Sequence, residues 1–154
     1  MTQSETSPTS ASRIDLQRLE SMTGFLVRLA QLKIYDAFHE AMSDHALTPA
    51  RYSLLAVLHD NPDSRPGQIA DALRVKPSNL AALLTQFEQD ALIVRVADPG
   101  ERRAALIRLS DKGEALFQQV DPEVRGLEDR AVAMLAPSER AALLNLLLRV
   151  SVSE

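Results

Sequence analysis

Arg102 and Arg103 stand side by side just after the turn sequence Asp98-Pro99-Gly100-Glu101, and Lys76-Pro77-Ser78-Asn79 opens a stretch with helical spacing. Guanidinium groups at a hairpin end can pair with phosphate oxygens. Small polar groups at a helix N-terminus can contact phosphates and base edges. The residues alone also admit a plainer reading, in which the arginines are solvated and Ser78 and Asn79 cap the helix. Catalysis finds less support. His39, His45 and His59 are far apart and lack metal-ligand spacing. The absence of cysteine excludes a disulfide scaffold, a thiolate metal site and a thiol redox switch. The chain has no Gly-rich phosphate loop, no G-x-S-x-G elbow and no H-E-x-x-H helix. Glu88 and Asp90, the nearest approach to paired carboxylates, are two apart on a helix and face different directions. The expectation is a protein that is not an enzyme and needs no metal or cofactor.

The elements that position these groups follow from periodicity. Leu19, Met22, Phe25, Leu26, Leu29, Leu32 and Phe38 recur every three to four residues, which predicts one long amphipathic helix from Ile14 to about Ser43. Thr48-Pro49 reads as an N-cap and first-turn proline of a second helix ending near Asn61-Pro62. Pro66 starts a short helix to Leu73, Val75-Lys76 is a turn, and Pro77 opens a helix to about Ala91. Two short helices across a tight turn make a helix-turn-helix. The β-branched run Ile93 to Ala97, the turn at Asp98 to Glu101 and the alternation from Ala105 to Leu109 predict a two-stranded hairpin. Ser110 and Asp111 cap a fifth helix to about Leu135, which Asp121-Pro122 should kink or break. Pro137 starts the last helix, whose Leu143, Leu144, Leu146, Leu147, Leu148 and Val150 are too many for one core-facing stripe. Apolar surface at both chain ends predicts a two-fold subunit interface.

Composition agrees with a mostly helical protein: 45% of the residues are apolar and only 4% aromatic. The net charge is −4, but residues 65–112 carry eight Lys/Arg against six Asp/Glu, so the acidity lies in the flanks. Residues 1–12 are Ser/Thr-rich and lack an apolar h-region, so they read as a disordered tail and not a signal peptide. No apolar run approaches the ~18 residues needed to cross a membrane. A cytoplasmic protein without a membrane partner is expected.

At the hairpin the chain reads ADPGERRAALIRLSDKGEAL. Here it strongly resembles the multiple-antibiotic-resistance regulator (MarR) family, whose pattern is met by Asp98-Pro99, Glu101, Arg103, Leu109-Ser110 and Lys112-Gly113. The motif match spans roughly Leu47 to Leu116, and the element order matches throughout. The resemblance implies a mainly α fold with a small β-hairpin wing, a winged helix-turn-helix with N- and C-terminal dimerisation helices. The lobe would occupy 47–111 and the dimerisation helices 13–46 and 112–154. It implies a homodimer, a transcriptional repressor, reading a pseudo-palindromic operator in double-stranded DNA. The DNA-contacting residues would be Lys76, Pro77, Ser78, Asn79, Ala81, Ala82, Gln86, Arg95, Arg102 and Arg103. Arg102 is expected at the wing tip and Arg103 in a pair with Asp98 or Glu101. The chain departs from the pattern at Ala82, often basic in the family, at Glu101, usually aspartate, and at Ala91, usually glycine. A positive φ at Ala91 would cost about 1 kcal/mol.

The family often binds small aromatic acids between lobe and dimerisation helices. That junction should hold Arg28, Tyr35, His39, Arg51 and Tyr52, where a cation beside aromatic rings suits a carboxylate. The expected effector is an aromatic acid or its coenzyme A thioester. A different class, a helical protein-interaction module that uses the winged fold without DNA, is the alternative that the acidic total charge allows.

Overall fold

A computed structural model describes residues 14–100 and 105–151. The chain divides into two units, residues 1–32 and 33–154. The first contains α1 (Gln17–Glu20) and the beginning of α2 (Thr23–Ala41). The single long helix expected from Ile14 is therefore interrupted. Ser21 turns its hydroxyl back onto the Arg18 carbonyl at 2.8 Å, a bond that competes with helix propagation.

The second unit holds the end of α2, a 3₁₀ turn (Ser43–His45), α3 (Pro49–Asp60), α4 (Pro66–Leu73), α5 (Pro77–Gln89), β1 (Ile93–Ala97), β2 (Ala105–Leu109), α6 (Asp111–Ala131) and α7 (Pro137–Ser151). Four of these helices begin on proline, where a missing N–H costs nothing and φ is already helical. Thr48 Oγ1 caps α3 by accepting from the Arg51 amide at 3.3 Å. Helix α6 runs unbroken through Pro122. Gln118, whose carbonyl loses its helical partner there, is exposed, as is Pro122, so water can take the bond.

One core sits between these helices. Leu54, Leu55 and Leu58 of α3 pack with Ile69 of α4, Leu80, Leu84 and Phe87 of α5, and Phe117, Val120, Val124 and Leu127 of α6. The hairpin closes it with Ile93, Ile107 and Leu109. Its strands pair antiparallel from Ile93 opposite Leu109 to Ala97 opposite Ala105. Ser64 adds a bridge to Ile107 on the outer edge, with N–H···O distances of 3.1 and 2.9 Å in the two directions.

The Leu-Ser-Asp-Lys-Gly run explains how the hairpin is fastened to α5. Ser110 Oγ accepts from the Gly113 amide at 3.1 Å, capping α6, and donates to the Ala91 carbonyl at 2.7 Å. Lys112 Nζ donates to the Asp90 carbonyl at 2.7 Å, which satisfies an orphan acceptor at the α5 C-terminus. Gly113 lies so close to Leu92 that a Cβ would stand 2.1 Å from the Leu92 oxygen. Ala91, between α5 and β1, has φ 56°. Ala91→Gly should therefore raise stability by about 1 kcal/mol, read as a higher urea midpoint at unchanged slope. An equal or lower midpoint would mean that this turn stores no strain.

Candidate nucleic-acid interface

Helix α5 presents two faces. Leu80, Leu84 and Phe87 are buried, whereas Lys76, Pro77, Ser78, Asn79, Ala81, Ala82, Thr85 and Gln86 are all exposed. Lys76 is the N-cap residue but makes no side-chain cap bond. Ser78 and Asn79 lie inside the first turn, and no hydrogen bond of either side chain occurs among the described residues. The capping role that the sequence left open for them is not what the structure uses. Their polar groups face outward, and the alanines keep the middle of that face narrow. A helix of this profile fits a major groove.

The hairpin flanks this face. Arg95, on β1, is exposed but held by an ion pair to Glu88 of α5. Arg102 and Arg103 lie outside the described residues. The base of their loop is built firmly. Asp98 is buried, accepts from the Gly100 amide at 2.8 Å and from Arg65 Nε at 2.8 Å, and thereby ties the hairpin to the start of α4. On the other strand Arg108 grips Asp63 with two bonds of 2.6 Å. Asp63 has φ 62°, in the left-handed region that aspartate tolerates better than most residues. Neither clamp was foreseen, because each joins residues more than 30 positions apart.

Two cavities open at the junction of α2, α3 and their neighbours. One, about 500 Å³, is lined by Tyr35 and His39 of α2, Thr48, Pro49, Ala50 and Ser53 at the head of α3, and Leu73, Val75, Asn79, Leu80 and Leu83 around the helix-turn-helix. The other, about 460 Å³, contains Tyr35, Phe38, Tyr52, Arg125 and Arg140. They share Tyr35, Pro49 and Ser53. The structure thus brings Tyr35, His39 and Tyr52 to the junction. Arg28 lies in the other unit, where it is exposed on α2, and Arg51 lines neither cavity.

Tyr52 offers a ring but not a free hydroxyl. It donates to Asp121 at 2.7 Å, and burial together with that bond pushes its pKa up to about 12. Burial alone would raise the Asp121 carboxyl, but the Tyr52 and Arg125 donors outweigh it and hold the group below the usual carboxylate range. Arg125 Nε reaches Asp121 at 2.7 Å, and Arg140 pairs with Asp129 at 2.6 Å. Both guanidinium groups of the second cavity are therefore already engaged. Tyr52 stacks on Phe117, which stacks in turn on His59 at 4.2 Å between centroids.

Apolar surface is concentrated at the ends of the chain. Helix α7 buries none of its residues, and Leu144, Leu146, Leu148 and Val150 are all more than half exposed. Leu19, Met22, Leu26, Val27, Leu29 and Leu32 are exposed in the first unit. Among the described residues no cluster of His, Asp or Glu could hold a metal ion, and no helix is long and apolar enough to cross a membrane.

Comparison with known proteins returns regulators. A family model described as MarR family matches residues 46–104. The HTH-type transcriptional regulator PecS of Dickeya dadantii is 31% identical over 130 residues, covering 82% of this chain and 78% of that protein. The HTH-type transcriptional repressor NicR of Pseudomonas putida is 26% identical over 131 residues, with 85% and 83% covered. Among solved structures, the transcriptional repressor CouR bound to a 23-mer DNA duplex superposes with a TM-score of 0.82 at 30% identity, covering 92% of this chain and all of that one. CouR bound to p-coumaroyl-CoA gives 0.79 at 28% identity with the same coverage.

Proposed function

Because the chain belongs to the MarR family of winged helix-turn-helix transcriptional regulators, we propose that it is a homodimeric, sequence-specific DNA-binding repressor released by a small aromatic effector. The observation that carries this reading is the outward face of α5, with Ser78 and Asn79 unengaged at its head beside a braced hairpin. In a dimer, two such helices would enter successive major grooves of a pseudo-palindromic site, and the Arg102 tips would meet the minor groove or its phosphates. Arg103 would brace the loop through Asp98 or Glu101. The apolar α7 and the apolar residues of the first unit would supply the subunit interface, with residues 47–111 acting as the reading lobe. The names of NicR and CouR as repressors support repression here.

The effector reading rests on the two adjoining cavities. Asn79, Leu80 and Leu83 belong to the reading helix and to a cavity wall at once. A ligand seated there favours some placements of α5 over others, which is the differential affinity that a population shift requires. An aromatic ring suits Tyr35 and His39. The shared residues suit an elongated molecule such as an aryl thioester of coenzyme A, and CouR, of the same fold, is seen with p-coumaroyl-CoA. Stabilisation in a thermal-shift series with aromatic acids and their thioesters should grow with ligand concentration as mass action dictates.

A gel shift on the DNA upstream of this chain's own coding sequence, repeated across a salt series, tests the proposal. A sequence-specific complex that weakens steeply with salt supports it. Indifference to DNA supports the protein-interaction module that the net charge of −4 favours. Arg102→Ala should lower DNA affinity at least ~10-fold and reduce the salt slope by about 1, while the dimer stays intact by sedimentation. Unchanged affinity would remove Arg102 from the interface.

A further inference from the structure

Arg51 is the least expected side chain in the lobe. It leaves the first turn of α3 between two cavity residues, Ala50 and Ser53, but turns to α5. Its Nη2 donates to Asp90 Oδ2 at 2.6 Å, its Nη1 reaches Gln86 Oε1 at 3.5 Å, and its guanidinium carbon lies 4.8 Å from the centroid of the Phe87 ring. The side chain is only 16% exposed, and its Nε is buried without a hydrogen-bond partner. Satisfying every donor is the norm for a buried guanidinium, so a position that leaves one orphaned is maintained by its other contacts. All of those contacts fall on the last turn of α5. The same turn is held from the other side by Lys112 on the Asp90 carbonyl and ends at the left-handed Ala91.

The head of α3 therefore meets α5 in two ways, across a cavity and through Arg51. Its Thr48, Pro49, Ala50 and Ser53 face the cavity opposite Asn79, Leu80 and Leu83. Arg51 grips the far end, two turns on. Leu80, Leu84 and Phe87 seat the inner face of α5 in the core, and Arg51 adds a polar tie at its C-terminal turn while a cavity borders its N-terminal half. We infer that Arg51 is a positioning residue for α5: it pins the C-terminal turn against α3 and so sets the angle at which the outward face of α5 meets DNA. Arg51 acts through α5 and makes no DNA contact of its own. This rests on the DNA-reading role proposed for α5.

The test compares full-length wild type, Arg51→Met and Arg51→Lys. Each is measured for amide hydrogen exchange and for binding to two duplexes, one enriched from a random pool by the wild-type chain and one of scrambled sequence. Arg51→Met should speed exchange of the amides from Phe87 to Leu92 and weaken the enriched duplex about tenfold. Scrambled-DNA affinity and the salt slope should not move. Arg51→Lys, which keeps a cation for Asp90, should recover part of both losses. Unchanged exchange in Arg51→Met overturns the pin. So does an equal loss on both duplexes with a shallower salt slope, which would make Arg51 a phosphate contact, or a fall in thermal stability with the preference for the enriched duplex intact. A wild-type chain that enriches no duplex removes the DNA-reading role and this inference together, and that outcome is recognisable before any variant is made.

Discussion

Gly113→Ala is expected to destabilise the chain by about 3 kcal/mol, more than the same change at any other glycine. The added carbon would stand 2.1 Å from the Leu92 carbonyl oxygen, 3.1 Å from its carbon and 3.2 Å from Leu109 Cδ2. None of the backbone atoms can step aside cheaply. The Leu92 oxygen is held by the Ser110 amide at 3.0 Å, and Leu92 itself is buried next to the strained Ala91. Relief would require the first turn of α6 to back away from the hairpin, which would pull Ser110 Oγ off the Ala91 carbonyl and Lys112 off the Asp90 carbonyl. The midpoint of urea unfolding measures the loss. Gly67→Ala is the control, because a Cβ there meets nothing within 4 Å and Gly67 is exposed on α4. If both variants stay within about 0.5 kcal/mol of wild type, the close approach of α6 to Leu92 is wrong.

Truncation after Ala136 should abolish the proposed dimer. Helix α7 is tied to α6 by the Arg140–Asp129 pair at 2.6 Å and starts with Glu139 accepting from the Ala136 amide at 2.7 Å. Those are surface interactions of small worth. None of the α7 residues is buried in the single chain, although Leu143, Leu144, Leu146, Leu147, Leu148 and Val150 are all large and apolar. Burying each such side chain at an interface is worth roughly 1.5–3 kcal/mol, so six of them dominate any subunit contact that α7 enters. Light scattering after size exclusion should find monomers or aggregates in the truncated chain. A soluble dimer lacking α7 would refute its place in the interface.

Local chemistry made most of the fold legible. Thr48-Pro49, Pro66, Pro77 and Ser110 mark helix starts because a cap or first-turn proline acts within four residues. The run Ile93 to Ala97 marks a strand because β-branched side chains suit a pleated surface. The penalty at Ala91 was expected only through the family resemblance, which puts glycine there, and φ 56° is costly for any residue with a Cβ. What escaped was decided elsewhere. The break between α1 and α2 falls where periodicity alone continues the helix, and α6 passes Pro122 with the freed Gln118 carbonyl open to solvent. The hold of Arg51 on Asp90 spans 39 positions, and that of Arg108 on Asp63 spans 45, so no local window contains either. Arg51 is a case where residue type does not reveal the partner. A cation near aromatic positions suggests a ligand carboxylate, and in the chain alone its partners are Asp90 and the Phe87 ring.

Selection of duplexes from a random pool by the purified full-length chain tests the central claim most directly. The account predicts enrichment of an inverted repeat whose half-site centres lie about one helical turn apart, bound by two chains per duplex. No enrichment, or an enriched site without two-fold symmetry bound by one chain, would contradict it.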